Sequence, residues 1–168
     1  MMRLEIPNEL HKEAYEALME RWEKTEPQMQ PELLRRGKAT YEKWLSWCED
    51  DRTTGSMLST GVPAVLYFLV DEAGIIYGAV VQNKAPTHMG HLHAGIAPWY
   101  RGKGYGTLLL TLALERCYEQ GITQVEVGTC QWNRSAIRVL EKNGGRLIEE
   151  FIEGDVVRLR YLFERKKT

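Results

Sequence analysis

The chain has 168 residues, a formal net charge of −1, and hydrophobic and charged contents of 43% and 27%. These values are typical of one globular domain with a single substantial core, so residues 1–168 are predicted to form one domain. A charge so near zero excludes a general attraction to nucleic acid or to an anionic membrane. No segment reaches the ~20 apolar residues of a membrane span, and the N-terminus lacks the apolar run of a signal peptide.

The three cysteines, Cys48, Cys117 and Cys130, have neither paired nor metal-like spacing. An odd number of isolated cysteines is typical of a reduced compartment, so we predict a cytoplasmic protein without a metal site. Cys117 lies on the apolar side of a predicted helix and Cys130 at the end of a predicted strand. Both are interpreted as structural, which disfavours an acyl-enzyme formed on a cysteine.

The first third of the chain is predicted to be mainly helical. Residues 2–6 form a short strand, and Asn8 caps a helix whose apolar positions recur at helical spacing. Residues 25–38, with two prolines and a glycine, form a loop or short helix, and a second helix covers 40–50. The apolar positions of the first helix are Leu10, Ala14, Ala17, Leu18 and Trp22.

The remaining residues alternate between strands and helices. Strands at 64–70 and 75–81 form a hairpin, and a third strand at about 90–97 leads into a glycine-rich loop. A helix at about 105–120, a strand at 124–130, a helix at 134–143 and a hairpin of 146–152 with 156–163 follow. This order predicts an α+β fold in which a mixed central sheet is flanked by helices on both faces.

The glycine-rich loop is the most informative segment. An apolar strand ends near Pro98, a basic loop from Arg101 to Gly106 follows, and a leucine-rich helix begins. Free backbone N–H groups, the helix dipole and the charges of Arg101 and Lys103 favour an anion with several oxygens, such as a pyrophosphate. A Walker loop and a dinucleotide loop are both disfavoured, because Gly104 follows Lys103 and Thr107 replaces the third glycine.

Three motifs in this order resemble those of the GNAT superfamily of N-acetyltransferases. They are Arg101-x-x-Gly104-x-Gly106, Asn133-Arg134-Ser135-Ala136 and the helix ending Glu141-Lys142-Asn143-Gly144-Gly145. Gly90-His91, the loop from Arg101 to Gly106, Asn133 and the ending Glu141 to Gly145 together resemble a bacterial subgroup of predicted acetyltransferases. The resemblance implies a single GNAT-like domain that moves an acetyl group from acetyl-CoA to a primary amine, by direct attack in a ternary complex.

The resemblance also implies which residues hold acetyl-CoA. Backbone N–H groups near Ile96 would polarise the acetyl carbonyl, and Asn133 would contact the pantetheine arm as well as capping its helix. The pyrophosphate would lie on the loop residues Arg101, Gly102, Lys103, Gly104, Tyr105 and Gly106.

Three residues are candidates for the general base. His91 and His93 lie two apart on the strand before the loop, so their side chains share a face, and an imidazole titrates in the useful range. Glu126, on the next strand, is the third candidate. Many GNAT members carry a Tyr seven residues after the motif Asn, and this Tyr protonates the departing thiolate. In this chain Leu140 occupies that position. A thiol of pKa ~8.5 can leave without a proton donor.

The acceptor is expected to be a small-molecule or protein amine held by the first two helices and by segments 25–38 and 52–62. The missing Tyr leaves a second interpretation open, in which the chain is a catalytically silent acyl-CoA-binding or sensing module. Binding of nucleic acid through Arg101 and Lys103 is weakly supported, because the basic patch is short. Edge strands of the C-terminal hairpin could support a homodimer.

Overall fold

The computed structural model describes residues 1–55 and 61–166. Within these ranges four α-helices surround one seven-stranded sheet, and three short 3-10 helices lie in the connections. The helices are α1 (Lys12–Thr25), α2 (Tyr41–Asp51), α3 (Tyr105–Glu119) and α4 (Arg134–Lys142). The strands are β1 (Arg3–Glu5), β2 (Ala64–Val70), β3 (Ile76–Thr87), β4 (Gly90–Ile96), β5 (Gln124–Cys130), β6 (Arg146–Glu153) and β7 (Val156–Glu164).

The strand order is β1-β2-β3-β4-β5-β7-β6, and each pairing that the structure records is antiparallel. The α+β class and the GNAT-like arrangement are confirmed, but the expectation of a mixed sheet is wrong. A strand–helix–strand segment commonly gives a parallel pair. Here β4 and β5, which α3 connects, meet instead in one antiparallel bridge between Gly90 and Val127.

Helices cover both faces of the sheet, as predicted, and side-chain alternation along β2 shows how. Tyr67 and Leu69 belong to the core beneath α3 and α4, whereas Leu66 and Phe68 belong to the core beneath α1 and α2. Within the described residues, the second core draws on β2 and β3 and has no member from β5, β6 or β7. One half of that sheet face is therefore left without a covering helix.

The core beneath α1 and α2 is built on aromatic rings. Trp44 stacks on Tyr15 with ring centroids 4.5 Å apart and lies 6.0 Å from Phe68. Its indole N–H donates to the carbonyl oxygen of Leu33 at 2.9 Å, and the side chain has 0% exposure. Trp44 thereby ties the α1–α2 connection to the sheet.

Most predicted elements are confirmed within a few residues, with two differences. Asn8 is an N-cap, but of a 3-10 turn over Glu9–His11, so Leu10 lies outside α1 and is 92% exposed rather than on the apolar face. Strand β3 continues to Thr87, six residues beyond the predicted end at 81. Each helix in the described ranges is too short or too polar to cross a membrane.

We expect Trp44→Ala to lower the free energy of unfolding by about 3–5 kcal/mol, because it removes a fully buried ring and leaves a carbonyl without its donor. Trp132→Ala is the control, since that ring is 73% exposed and its loss changes stability by about 0.5 kcal/mol or less. Urea unfolding of the three proteins measures the difference. Equal effects of the two substitutions would contradict this description of the core.

Candidate active site

The central feature of the site is a cleft between β4 and β5. Within the described residues, the strands share only the bridge between Gly90 and Val127, at the beginning of β4, supported by a 2.9 Å bond from the Gly128 N–H to the Met89 carbonyl oxygen. Beyond that point their edges separate. A cleft through a sheet exposes backbone groups that a neighbouring strand would otherwise pair.

The edge of β4 presents backbone donors to this cleft. The Ala97 N–H bonds the Tyr77 carbonyl oxygen at 2.9 Å, and Gly95 lies opposite Ala79 in the same ladder. Because bonding alternates along an antiparallel pair, the N–H and C=O groups of Ala94 and Ile96 point away from β3 and towards β5. The region predicted to polarise the acetyl carbonyl therefore lies at the open edge.

The glycine-rich loop forms the end of this cleft. Gly102 and Gly104 have φ angles of 76° and 90°, conformations that glycine adopts readily, and Gly104 is the N-cap of α3. No side chain of the described residues caps that helix end. Its first-turn N–H groups and the positive end of the dipole are thus available to an anion, and the loop fits a pyrophosphate.

Close packing sets the position of the α3 N-terminus. A Cβ atom on Gly106 would lie 3.4 Å from Val139 of α4 and 4.0 Å from Ile96 of β4. Tyr105, the first residue of α3, packs against Tyr77 with centroids 4.8 Å apart. Gly106 thus lets the helix end approach both α4 and β4, whereas Lys103 is exposed beside it.

Arg101 makes contacts that the sequence did not predict. Its Nε donates to the Ile96 carbonyl oxygen at 2.9 Å, and its Nη1 lies 2.7 Å from a carboxylate oxygen of Glu26, just beyond α1. The loop is therefore attached both to the end of β4 and to the segment between α1 and α2. Glu26 is a residue that sequence reasoning missed, and nothing in its local pattern could have indicated this partner.

Asn133 occupies the N-cap of α4, as predicted. Its Oδ1 accepts from the Ala136 N–H at 3.1 Å, and its backbone N–H donates to the Cys130 carbonyl oxygen at 3.0 Å. The cap places the start of α4 directly after the end of β5. Its contact with a pantetheine arm stays a prediction.

The structure brings the three predicted base candidates to one face of the sheet. Leu92 and Val127 belong to the core beneath α3, so His91, His93 and Glu126, one residue out of phase, face the opposite side. His91 is 6% exposed, and its Nδ1 accepts a hydrogen bond of 2.9 Å from the Glu126 backbone N–H. Burial lowers the pKa of His91, and the charge of Glu126 opposes that effect.

His93 is half-buried on this face and is not among the described members of the core beneath α1 and α2. Burial is the main cause that lowers its pKa. The charges of His88 and Arg158 lower the pKa further, while Glu32 raises it. The imidazole is consequently neutral at pH 7, the form that can accept a proton.

The segment between α1 and α2 closes over β4 at Gly95. A Cβ atom on Gly95 would collide with the carbonyl oxygen of Gln30. This part of the predicted acceptor segment 25–38 therefore lies against the strand that carries His93. A glycine inside a strand signals a close backbone approach, so Gly95 could have been recognised from sequence. Of the other predicted segment, 52–62, residues 56–60 lie outside the described part of the chain.

The cysteines and Leu140 have structural surroundings. Cys117 is fully buried, which raises its pKa to about 12, and Leu140 is 4% exposed in the core beneath α3. Cys130 is half-buried, and its Sγ lies 2.9 Å from the guanidinium of Arg158. Cys130 thus faces the same side of the sheet as His93, a placement that its sequence position alone did not indicate.

Comparison with known proteins agrees with this geometry. The model of the acetyltransferase (GNAT) family matches residues 8–145. The ribosomal-protein-S5-alanine acetyltransferase of Vibrio fischeri has a TM-score of 0.73 at 15% identity, covering 97% of this chain and 92% of its own. RimL, a ribosomal L7/L12 α-N-protein acetyltransferase solved with coenzyme A, has a TM-score of 0.69 at 15% identity, with coverages of 97% and 93%.

A third similar structure is the YncA protein of Salmonella typhimurium, solved with acetyl-CoA, with a TM-score of 0.62 at 13% identity and coverages of 99% and 95%. At these identities the structures establish a shared fold, and the family match covers most of the chain. The chain therefore belongs to the acetyltransferase (GNAT) family and is an acyl-CoA-dependent acetyltransferase. The predicted family and enzyme class are confirmed, and so is the α+β GNAT-like fold except for its mixed sheet.

We expect Gly104→Ala to weaken binding of acetyl-CoA by about tenfold, because a side chain at φ 90° strains the loop and turns its N–H groups away from the anion. Gly121→Ala is a matched control at the other end of α3. Its φ is 83°, and at both positions a Cβ would have nothing within 4 Å, so the strain is similar. Calorimetric titration of each variant measures affinity. Equal losses in the two variants would contradict a role of the loop in binding.

Proposed function

We propose that this protein transfers the acetyl group of acetyl-CoA to a primary amine by direct attack within a ternary complex. The observation that carries the proposal is the cleft between β4 and β5, which has the basic loop at one end and three base candidates on one face. When bound, acetyl-CoA supplies the activated acetyl thioester.

Residues 102–106 and the α3 N-terminus bind the pyrophosphate through backbone N–H groups. The N–H groups of Ala94 and Ile96 donate to the acetyl oxygen, where negative charge develops during attack. Such donors stabilise that charge without reorganising, because the β3 ladder holds their strand. The cleft itself thereby polarises the carbonyl.

The acceptor amine approaches from the sheet face that α1 and α2 leave open. The segment around Gln30 and Glu32 borders this face beside Gly95 and His93. A small amine and a flexible protein N-terminus both suit an open surface of this kind. The similar structures include enzymes whose names specify ribosomal-protein amines, which supports a protein acceptor as one member of the class.

His93 is the base in this proposal. A lysine-type amine has a pKa of ~10.4, so a proton must leave the nitrogen before or during attack. His93 is neutral, lies on the open face and is free of the backbone contact that occupies the Nδ1 of His91. Glu126 shares the face and remains the alternative base. Leu140 is buried and apolar and would offer no proton to the leaving group of acetyl-CoA, whose sulfur could depart as a thiolate without such help.

We expect His93→Gln to lower kcat/KM for the amine by about 10²–10⁴-fold, with affinity for acetyl-CoA little changed, because the variant keeps polarity but loses the base. In the wild type, neutral His93 is lost as pH falls through its pKa, which burial lowers from the ordinary value of a histidine. The wild-type profile therefore steepens on the acid side, and the variant lacks this extra slope. Steady-state release of CoA thiol against pH measures both effects.

His88→Gln is the control for kcat/KM at neutral pH, since the side chain of His88 is 66% exposed; because the charge of His88 lowers the pKa of His93, this variant should only move the acid limb of the profile to higher pH. A loss in Glu126→Gln with activity preserved in His93→Gln would assign the base to Glu126. Binding of acetyl-CoA without turnover over a broad set of amines would support the silent binding module instead.

A further inference from the structure

His91 joins the two strands at the point where their backbone pairing stops. Gly90 and Val127 form the last bridge, and one residue further the His91 ring accepts from the Glu126 N–H at 2.9 Å. The Glu126 N–H points towards β4. Gly128 lies two residues further along β5, so its N–H points the same way, and it donates to the Met89 carbonyl oxygen beside β4. A side chain therefore takes the place of the next backbone acceptor.

This hydrogen bond determines the protonation of the ring. A ring nitrogen that accepts from an N–H carries no proton, so the proton of neutral His91 is on Nε2. The imidazolium has donors at both nitrogens and cannot accept this bond. Burial favours the same neutral state, since His91 is 6% exposed and its pKa is lowered.

A neutral imidazole has one lone pair available for a proton, and in His91 that lone pair is engaged by Glu126. Its Nε2 is a donor. Proton abstraction from an amine would need the ring to release Glu126 or to exchange tautomers. This geometry separates His91 from His93, although the sequence presents them as an equivalent pair.

We propose that His91 is a positioning residue, which holds β4 and β5 at a fixed separation where the acetyl thioester enters, and that it does not take the proton of the amine. The inference rests on the proposed acetyl transfer for its kinetic consequences. Without the ring acceptor, the half-buried Glu126 N–H lacks a partner. The strand edges then shift to satisfy it, and the donors at Ala94 and Ile96 move with them.

Two amide substitutions distinguish the roles of the ring nitrogens. The Oδ1 of Asn lies close to the position of Nδ1, and the Oε1 of Gln lies close to that of Nε2; neither amide is a base. We expect His91→Asn to keep kcat/KM within about threefold of the wild type, with the same pH profile. His91→Gln and His91→Ala should lose about 10–100-fold, mainly in kcat, because the donors no longer match the developing charge.

The proposal would be overturned in favour of His91 as a base if His91→Asn lowered kcat/KM as much as His91→Gln and if the pH profile lost a limb. Thermal unfolding of each variant separates a shifted cleft from a protein that fails to fold. If His91→Ala does not fold, the comparison of the Asn and Gln variants, and the spectroscopic test below, still decide.

Nuclear magnetic resonance tests the contact directly in the wild-type protein. Long-range ¹H–¹⁵N correlation of the histidine rings should show His91 protonated at Nε2, and the Glu126 amide should exchange slowly with solvent. Exchange of that amide should remain slow in His91→Asn and become fast in His91→Ala. A proton on Nδ1, or fast exchange in the wild type, would overturn the proposal.

The spectroscopic test needs neither acetyl-CoA nor an acceptor. If the ring contact is found and no amine is acetylated, the proposed function fails while the contact between His91 and β5 stands. If acetylation is found and the contact is absent, the inference about His91 fails alone.

Discussion

The separation of β4 from β5 after one bridge is the constraint on which the rest of the structure depends. A continuous ladder would use the N–H groups of Ala94 and Ile96, whereas the separated edges leave these donors directed into the cleft, and the Ile96 carbonyl oxygen accepts from Arg101 instead. An open edge inside a sheet is costly unless other groups satisfy it. In this protein one side chain, His91, and one turn carbonyl, that of Met89, provide the last contacts before the strands part.

Contacts from helices and loops fix the position of the cleft at two further points. On one side, α3 begins with a glycine N-cap and approaches α4 through Gly106. On the other side, the α1–α2 segment contacts β4 at Gly95 and the loop through the ion pair of Glu26 with Arg101. An exposed pair of this kind contributes at most about 1 kcal/mol, so it orients the loop more than it stabilises the fold. The glycine-rich loop and the α1–α2 segment therefore meet at the end of one strand.

Much of the fold could be predicted because local patterns were strong. The period of the apolar residues changes clearly from helix to strand, and glycine or Asn marks the helix starts at Gly104 and Asn133. The family was also accessible, because its glycines are required by backbone angles that few other residues adopt. The antiparallel bridge at Gly90 could not be predicted, since a single residue pair leaves no periodic signal.

The chemistry of the site was less accessible for a related reason. His91 and His93 are equivalent in a strand pattern, and only the position of the Glu126 N–H distinguishes them. The partner of Arg101 lies 75 positions earlier in the chain, at Glu26. Contacts between residues so far apart depend on how layers pack, which a single sequence does not encode in any local spacing.

Titration of ¹⁵N-labelled protein with acetyl-CoA, followed through the backbone amide resonances, tests most directly whether the edge of β4 and the loop after it bind the acyl thioester. We expect the amide resonances of Ala94, Ile96 and residues 102–106 to shift together with a common dissociation constant, while the resonance of Gly121, at the far end of α3, stays unchanged. Shifts confined to other surfaces, or none at saturating acetyl-CoA, would contradict such binding.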